Sequence, residues 1–220
     1  MNGELGRNQL PFLIRTRPMI STANKPDAFR PDRRSFSLNT PVLTTERLVL
    51  RMPVLDDADE LAVIANSRDI AEMTARMPHP YTRADAVKYI NAVHDGRVEG
   101  YVYAVTIAET GRLIGMCAVT NRPPSGDLEV GYWLGRAWWG QGYASEAASA
   151  VVDLAFRVTG TNVIYAGSRT VNPRSRQVLI KQGFEFTGLD EIDTIAAGRV
   201  AIERYRLSRE NWLARKVETG

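Results

Sequence analysis

The spacing of apolar residues changes character near residue 41. From there strand-like and helix-like runs follow one another closely. Leu48, Val49 and Leu50 form an apolar run between Arg47 and Arg51, as a first strand would. Asp56 and Asp57 then open a helix, with acids at its positive end, and its apolar members are Leu61, Val63, Ile64 and Ile70. After Pro78 and Pro80, Thr82 can cap a second helix. Asp85 completes a weak capping box, and Ala86, Tyr89, Ile90 and Val93 form the buried face. Two strand-like runs, Tyr101 to Ala108 and Leu113 to Thr120, flank Glu109-Thr110-Gly111-Arg112, which is hairpin chemistry. A loop from Asn121 to Asp127, with Pro123 and Pro124, leads into Leu128 to Leu134. That run is apolar, aromatic or β-branched, as a buried strand should be. From Tyr143 the period lengthens from two to 3.6. Ala144, Ala147, Ala148, Val151, Leu154, Ala155 and Val158 share one helical face, and Gly160 stands at the C-cap. A strand follows at 162–167, then a helix started by Pro173 and ended at Gly183. A hairpin of 184–187 with 199–207 around a loop at 188–198, and a short helix from Ser208 through Trp212, finish the pattern.

This β-α-α-β-β-β-α-β-α-β-β order predicts an α/β fold, a mixed sheet with helices on both faces. Residues 1–40 stand outside it. They hold prolines at 11, 18, 26 and 31, arginines at 7, 15, 17, 30, 33 and 34, and little periodicity. They read as an irregular, partly disordered tail, with docking on an acidic partner as the functional alternative. The domain is expected over 41–215, with 216–220 as a C-terminal tail.

Composition narrows the class. The 220 residues, 44% of them hydrophobic, suffice for one well-buried domain. The 28 basic and 25 acidic residues are dispersed, so no block demands nucleic acid. The single Cys117 rules out an internal disulfide and suits a reducing, cytoplasmic compartment. No apolar run approaches the ~20 residues of a membrane span. Oligomeric state is open, a homodimer included.

The candidate chemistry lies between the strand at 128–134 and the helix from Tyr143, where Gly135, Gly140 and Gly142 fall. A glycine-rich turn feeding a helix N-terminus is an anion site, because unpaired N–H groups and the helix dipole both point at the ligand. A P-loop would need a Lys after Gly140 or Gly142, and none follows. A dinucleotide fold would need Gly-x-Gly-x-x-Gly and a ribose-binding acid. Gly140-Gln141-Gly142-Tyr143-Ala144-Ser145 supplies two glycines and a serine, and the next strand runs into Gly167-Ser168-Arg169 with no acid. The third phosphate-bearing ligand is coenzyme A.

WWGQGYASEA, residues 138–147, preceded by EVGYWLG, resembles the pyrophosphate-binding motif of the GNAT superfamily of N-acetyltransferases, in its RimJ/RimL-like branch. In the superfamily pattern Gln/Arg-x-x-Gly-x-Gly/Ala, Gly142 and Ala144 match the last two fixed positions. Trp139 stands where Gln or Arg is usual, a departure common in this branch. VNPRSRQVLIKQGF, residues 171–184, is similar to the family's Asn-x-x-Ser-x-x-apolar-x-x-Lys-x-Gly-Phe segment, and TERLVLR at 45–51 and PHPYTRADAVKYI at 78–90 resemble the branch as well. The resemblance spans roughly residues 41–215.

It implies the acyl-CoA N-acyltransferase fold, a mostly antiparallel sheet in which the central strand and the strand at 162–167 splay apart. The pantetheine arm of acetyl-CoA then lies in the gap. The acetyl group passes by direct attack of a primary amine in a ternary complex, without a metal; no His-Glu-x-x-His or Cys/His cluster is present. Backbone amides of Gln141, Gly142, Tyr143, Ala144 and Ser145 are expected to hold the pyrophosphate, with Gly140 bare for close approach. Trp133 and Leu134 are expected to meet the cofactor at the strand end. Asn172 is expected at the pantetheine or ordering the backbone around it, and Arg176, with Arg174, at the adenosine phosphates. Their plain readings are a turn, a helix cap and exposed helix charges.

Glu129 is the candidate base, placed by alternation on one face with Gly131 and Trp133. Apolar surroundings would suit it to relaying the amine's proton through water, and an ion pair with a nearby arginine is the bland alternative. Ser175 could donate a proton or hydrogen bond to the departing thiolate, or be a first-turn serine only. Tyr132, on the other face, reads as core or as a wall of the acceptor tunnel. His79 and Tyr81 sit in the loop that borders the acceptor in the family. Cys117 has no activating base beside it and reads as a small buried apolar residue. One of Trp138 and Trp139 can pack under the turn and the other near the ligand.

The resemblance implies a protein N-terminal α-amine as acceptor; the branch also holds enzymes for polyamines, antibiotics and other small amines. Asp127, Glu129, Asp190, Glu191 and Asp193 could line a cleft for a cationic acceptor. A CoA-binding regulatory module without turnover would carry the same donor motifs, because donor motifs are silent on the acceptor.

Overall fold

The computed structural model describes residues 40–122 and 125–218. The predicted N-terminal tail, apart from Thr40, lies outside the described residues, as do Pro123, Pro124 and the end of the C-terminal tail. In chain order the elements are β1 Leu43–Thr44, β2 Leu48–Arg51, α1 Ala58–Ala65, α2 Arg68–Ala71, α3 Arg83–His94, β3 Gly100–Ile107, β4 Leu113–Arg122, β5 Asp127–Leu134, α4 Tyr143–Thr159, β6 Val163–Arg169, α5 Pro173–Lys181, β7 Glu185–Thr194, β8 Gly198–Ser208 and α6 Arg209–Glu218. The strands form one sheet in the order β1-β2-β3-β4-β5-β6-β8-β7. Every neighbouring pair is antiparallel except β5 and β6. That pair is parallel because α4 carries the chain back across the sheet between them.

Both faces of the central strands are covered, which is why β3 and β4 read as continuous apolar runs. On one face Leu61 of α1 and Ala86, Ile90 and Val93 of α3 pack on Val102, Ala104, Leu113 and Met116. On the other, Val151, Val152, Ala155 and Phe156 of α4 pack on Tyr103, Val105, Cys117, Val130 and Ile164. Phe156 is fully buried and stacks on Trp212 of α6 at 5.0 Å. Its truncation to alanine would cost about 3–5 kcal/mol through lost transfer energy and a cavity.

The expected elements are present, with four differences. The loop expected at 188–198 is mostly strand, and only residues 195–197 form the turn. Acids are rare in strands, but here they are paired across the hairpin. Asp190 meets Arg204 at 3.0 Å and Glu191 meets Arg199 at 2.9 Å. The first helix is broken: Ile70 is buried from α2, while Val63 on α1 faces solvent. Strand β1 was not expected, and α6 runs on to Glu218, through residues expected as tail. The capping box at Thr82 forms as expected: Thr82 Oγ1 accepts from the Asp85 amide, and the Asp85 carboxylate accepts from the Thr82 amide at 2.9 Å.

Candidate active site

Between β5 and α4 the backbone passes through Gly140 at φ 76° and Gly142 at φ 85°, both in the left-handed region. A side chain on Gly140 would meet no described residue within 4 Å, so its backbone is bare and approachable. The first bond of α4 runs from the Glu146 amide to the Gly142 carbonyl at 3.1 Å. Tyr143, Ala144 and Ser145 therefore have no partner one turn back. Among the described residues no side chain caps this end of a 17-residue helix. Open amides, a bare approach and the positive end of the helix together fit a diphosphate. The Gln141 side chain turns away and donates to the Ala137 carbonyl at 2.8 Å, which leaves its backbone to the ligand.

The loop is clamped from behind by the turn that leads into β2. Thr45 Oγ1 donates to Glu146 Oε1 at 2.6 Å, and the Arg47 amide donates to the same oxygen at 2.8 Å. The Arg47 guanidinium grips Glu146 Oε2 at 2.7 Å and lies 4.6 Å from the centre of the Tyr143 ring. Partial burial opposes the charge of Glu146, but the bonds from Thr45 and Arg47 outweigh it and hold this carboxyl below its ordinary value.

Strands β5 and β6 pair only at Leu128 with Ile164, Glu129 with Tyr165 and Val130 with Ala166. Both strands continue, β5 to Leu134 and β6 to Arg169, without meeting again. Between them lies a splay whose two edges carry unpaired backbone groups, with Gly131 and Gly167 exposed beside it. An extended, amide-bearing arm fits there as a missing strand would. Trp139 closes the far end, its indole N–H donating to the Leu134 carbonyl at 2.7 Å and its ring lying under the Arg174 guanidinium. Trp138 instead packs edge-on against Tyr143.

Beyond β6, Asn172 caps α5, its Oδ1 accepting from the Ser175 amide at 3.1 Å. The cap leaves Asn172 Nδ2 without a bond among the described residues. Ser175 in the first turn is reached by Tyr132, whose hydroxyl donates to the Ser175 carbonyl at 3.2 Å and lies 3.2 Å from Ser175 Oγ. Burial pushes the Tyr132 phenol far above its ordinary value, so it stays protonated. Arg176, expected at the phosphates, is instead held by Glu203 in a two-pronged pair at 2.9 and 2.6 Å.

On the opposite face of β5 the expectation of apolar surroundings for Glu129 does not hold. Arg122 Nε stands 3.6 Å and Arg204 Nη1 3.8 Å from its carboxylate. Nor is the face an acid-lined cleft, since Asp190 and Glu191 each meet an arginine. Trp133 and Tyr81 pack together with Met77 and Ile70. Burial first, then Tyr89 and Asp85, push the Tyr81 phenol up to about 12. His79 is exposed and joins neither. Arg169 of β6 donates to the Glu72 carbonyl at 2.6 Å while its buried Nε has no partner among the described residues.

Sequence reading missed the Thr45–Arg47–Glu146 clamp and the Tyr132–Ser175 contact, while the arginine ion pair it gave as the alternative for Glu129 is present, with two arginines. The signal for the clamp was present, an acid in the first turn of α4 and an arginine ahead of β2. Among the described residues no three His, Cys, Asp or Glu are grouped to hold a metal ion, and no helix is long and apolar enough to cross a membrane.

Comparison with known proteins agrees with this geometry. The model of the acetyltransferase (GNAT) domain matches residues 47–185. The chain is similar to an uncharacterized N-acetyltransferase, p20, of Bacillus licheniformis, 32% identical over 169 residues, 76% of this chain and 94% of that one. It is also similar to the FsC-acetyl coenzyme A-N(2)-transacetylase of Aspergillus fumigatus, 28% identical over 187 residues, 79% of this chain and 78% of that one. Among solved structures, RimL, a ribosomal L7/L12 alpha-N-protein acetyltransferase in complex with coenzyme A, superposes with a TM-score of 0.65 at 16% identity, covering 76% of this chain and 98% of that one. With the diphosphate cradle, the splayed strands and these likenesses in agreement, the chain belongs to the GNAT family of acetyl-CoA-dependent N-acetyltransferases.

Proposed function

We propose that this acetyltransferase acts on the α-amine of its acceptor, as at a protein N-terminus. The observation that carries the reading is the splay beyond Val130 and Ala166, which opens beside Glu129 on one face and Ser175 near the other. The p20 relative is named an N-acetyltransferase, the Aspergillus relative an N(2)-transacetylase, and RimL an alpha-N-protein acetyltransferase. RimL supports the fold alone at its level of identity, so the acceptor is argued from the site.

Bound acetyl-CoA supplies a thioester whose carbonyl carbon the amine nitrogen attacks; a C–N bond forms, the C–S bond breaks and sulfur keeps the electron pair. Gly140 and the amides of residues 141–145 hold the diphosphate, and the edge of β5 from Gly131, short of the Leu134 carbonyl that Trp139 holds, aligns the arm. Glu129 attracts the ammonium and receives its proton through water. Ser175 donates a hydrogen bond to the departing sulfur, and Tyr132, bonded to the Ser175 carbonyl, fixes the helical turn that carries that hydroxyl. Nitrogen sheds a second proton as the amide forms, and it passes through water to the departed thiolate, which Ser175 stabilises until then, since a thiol titrates near ~8.5. On this reading the enzyme works in the cytoplasm, where acetyl-CoA and nascent N-termini meet.

The first test is thermal stability with acetyl-CoA, CoA, NAD and ATP, followed by release of CoA thiol with N-terminal peptides, spermidine and an aminoglycoside. A ligand at a hundred times its dissociation constant stabilises by about 2.7 kcal/mol. Stabilisation by acetyl-CoA and CoA, with turnover of peptides, is expected. Turnover of spermidine or the aminoglycoside alone would overturn the acceptor assignment.

A further inference from the structure

The charges around Glu129 are drawn together yet leave their hydrogen-bonding capacity open. The Glu129 side chain is 30% exposed, and its oxygens accept no hydrogen bond among the described residues. Arg122 and Arg204 approach it at 3.6 and 3.8 Å, beyond hydrogen-bond contact. The Arg122 guanidinium is 34% exposed on its side chain, lies 5.8 Å from the centre of the Tyr165 ring and makes no hydrogen bond among the described residues. Arg204 directs Nε and Nη2 at Asp190, at 3.1 and 3.0 Å, and leaves Nη1 open.

This cluster sits at the splay itself. A side-chain carbon on Gly167 would lie 3.4 Å from Arg204 Nη1 and 3.6 Å from Glu129 Oε1. Gly167 is the first residue of β6 beyond its last pairing with β5. The Glu129 carboxylate and the Arg204 guanidinium therefore lie over bare backbone, where the two strands part, with Arg122 on the far side of Glu129 near Tyr165.

A carboxylate with open lone pairs beside a guanidinium with open N–H groups is the charge-reversed image of a zwitterion. An ammonium fits Glu129, and a carboxylate within a few bonds of it fits the planar fork of Arg122. A polyamine meets one anion guarded by two cations, which opposes it. We infer that the acceptor is an amine carrying a carboxylate within a few bonds, either a free α-amino acid or a peptide with an acidic residue at its first or second position. The inference rests on the acetyl-transfer reading above and names the acceptor chemistry of that site.

The test compares matched acceptors by CoA release: leucine with leucinamide, hexapeptides with Glu or Gln at the second position, and spermidine. A charge-assisted contact predicts a kcat/KM about tenfold or more higher for the carboxylate-bearing member of one pair. A response in the amino-acid pair assigns a free amino acid; a response in the peptide pair assigns an acidic N-terminus. Arg122→Gln should collapse that ratio, and Arg122→Glu should turn the panel toward spermidine. The ratio is read within each variant, so a general loss of activity cancels. Equal rates within both pairs, preference of the unaltered enzyme for spermidine, an unchanged ratio in Arg122→Gln, or no turnover of the panel while acetyl-CoA still stabilises the protein would each overturn the inference. Absence of stabilisation by acetyl-CoA would instead overturn the transfer reading itself, and this inference with it.

Discussion

Arg47 donates from Nη1 to the carbonyl oxygen of Gln141 at 3.0 Å. The C=O and N–H of a planar trans peptide point in opposite directions. By holding that carbonyl, Arg47 turns the Gly142 amide away from β2. The same side chain grips Glu146 one turn into α4, so one arginine sets both ends of the diphosphate loop.

Arg47→Ala should raise the KM for acetyl-CoA about tenfold, the scale of a hydrogen bond to a charged group. S-acetylpantetheine carries the thioester without the diphosphate, and kcat/KM with it should change little. Equal losses with both donors would show that Arg47 only supports the fold.

Ser175→Ala should lower kcat by roughly tenfold to a hundredfold, at the low end for a positioned donor because a thiolate leaves readily. The KM for acetyl-CoA should stay nearly level. Tyr132→Phe should cause a smaller loss, and the double variant should be no slower than Ser175→Ala. Additive losses would separate the two hydroxyls.

Glu146 links the clamp to pH. Its carboxyl is held below the ordinary 4.5 in the folded protein, the bonds from Thr45 and Arg47 overcoming the effect of burial. A depressed folded value stabilises above the unfolded value and is lost as pH falls through the folded one. The melting temperatures of the native protein and Glu146→Gln should differ by a constant amount above about pH 5 and converge below it. A gap that widens on acidification would contradict the assignment.

Cys117 is buried, and burial pushes its thiol up to about 12, against a smaller lowering by a backbone bond from Ala118. A thiol reagent should leave the folded protein unlabelled and titrate the single cysteine only after unfolding. Rapid labelling of the folded protein would place Cys117 in an open or mobile site.

Features fixed by a few neighbouring residues were legible in the chain. Gly140 and Gly142 take a backbone conformation that other residues resist, so their spacing announced the turn. Thr82 and Asp85 close their box three residues apart. The long apolar face of α4 required a sheet beneath it, and the motifs around it led to the acetyltransferase fold.

Tertiary structure decided the contacts between residues far apart in the chain. Arg47 and Glu146 are 99 positions apart, and Tyr132 and Ser175 are 43 apart. Arg176 turned from the phosphates to Glu203, 27 positions on. The acids of β7 looked like a loop because their arginines lie across the hairpin, and Glu129 looked like a carboxylate in apolar surroundings because Arg204 lies two strands away. The physical reason is register: local sequence sets backbone angles and the faces of an element, while the charge that meets a given side chain depends on which strand lies beside it and at what offset.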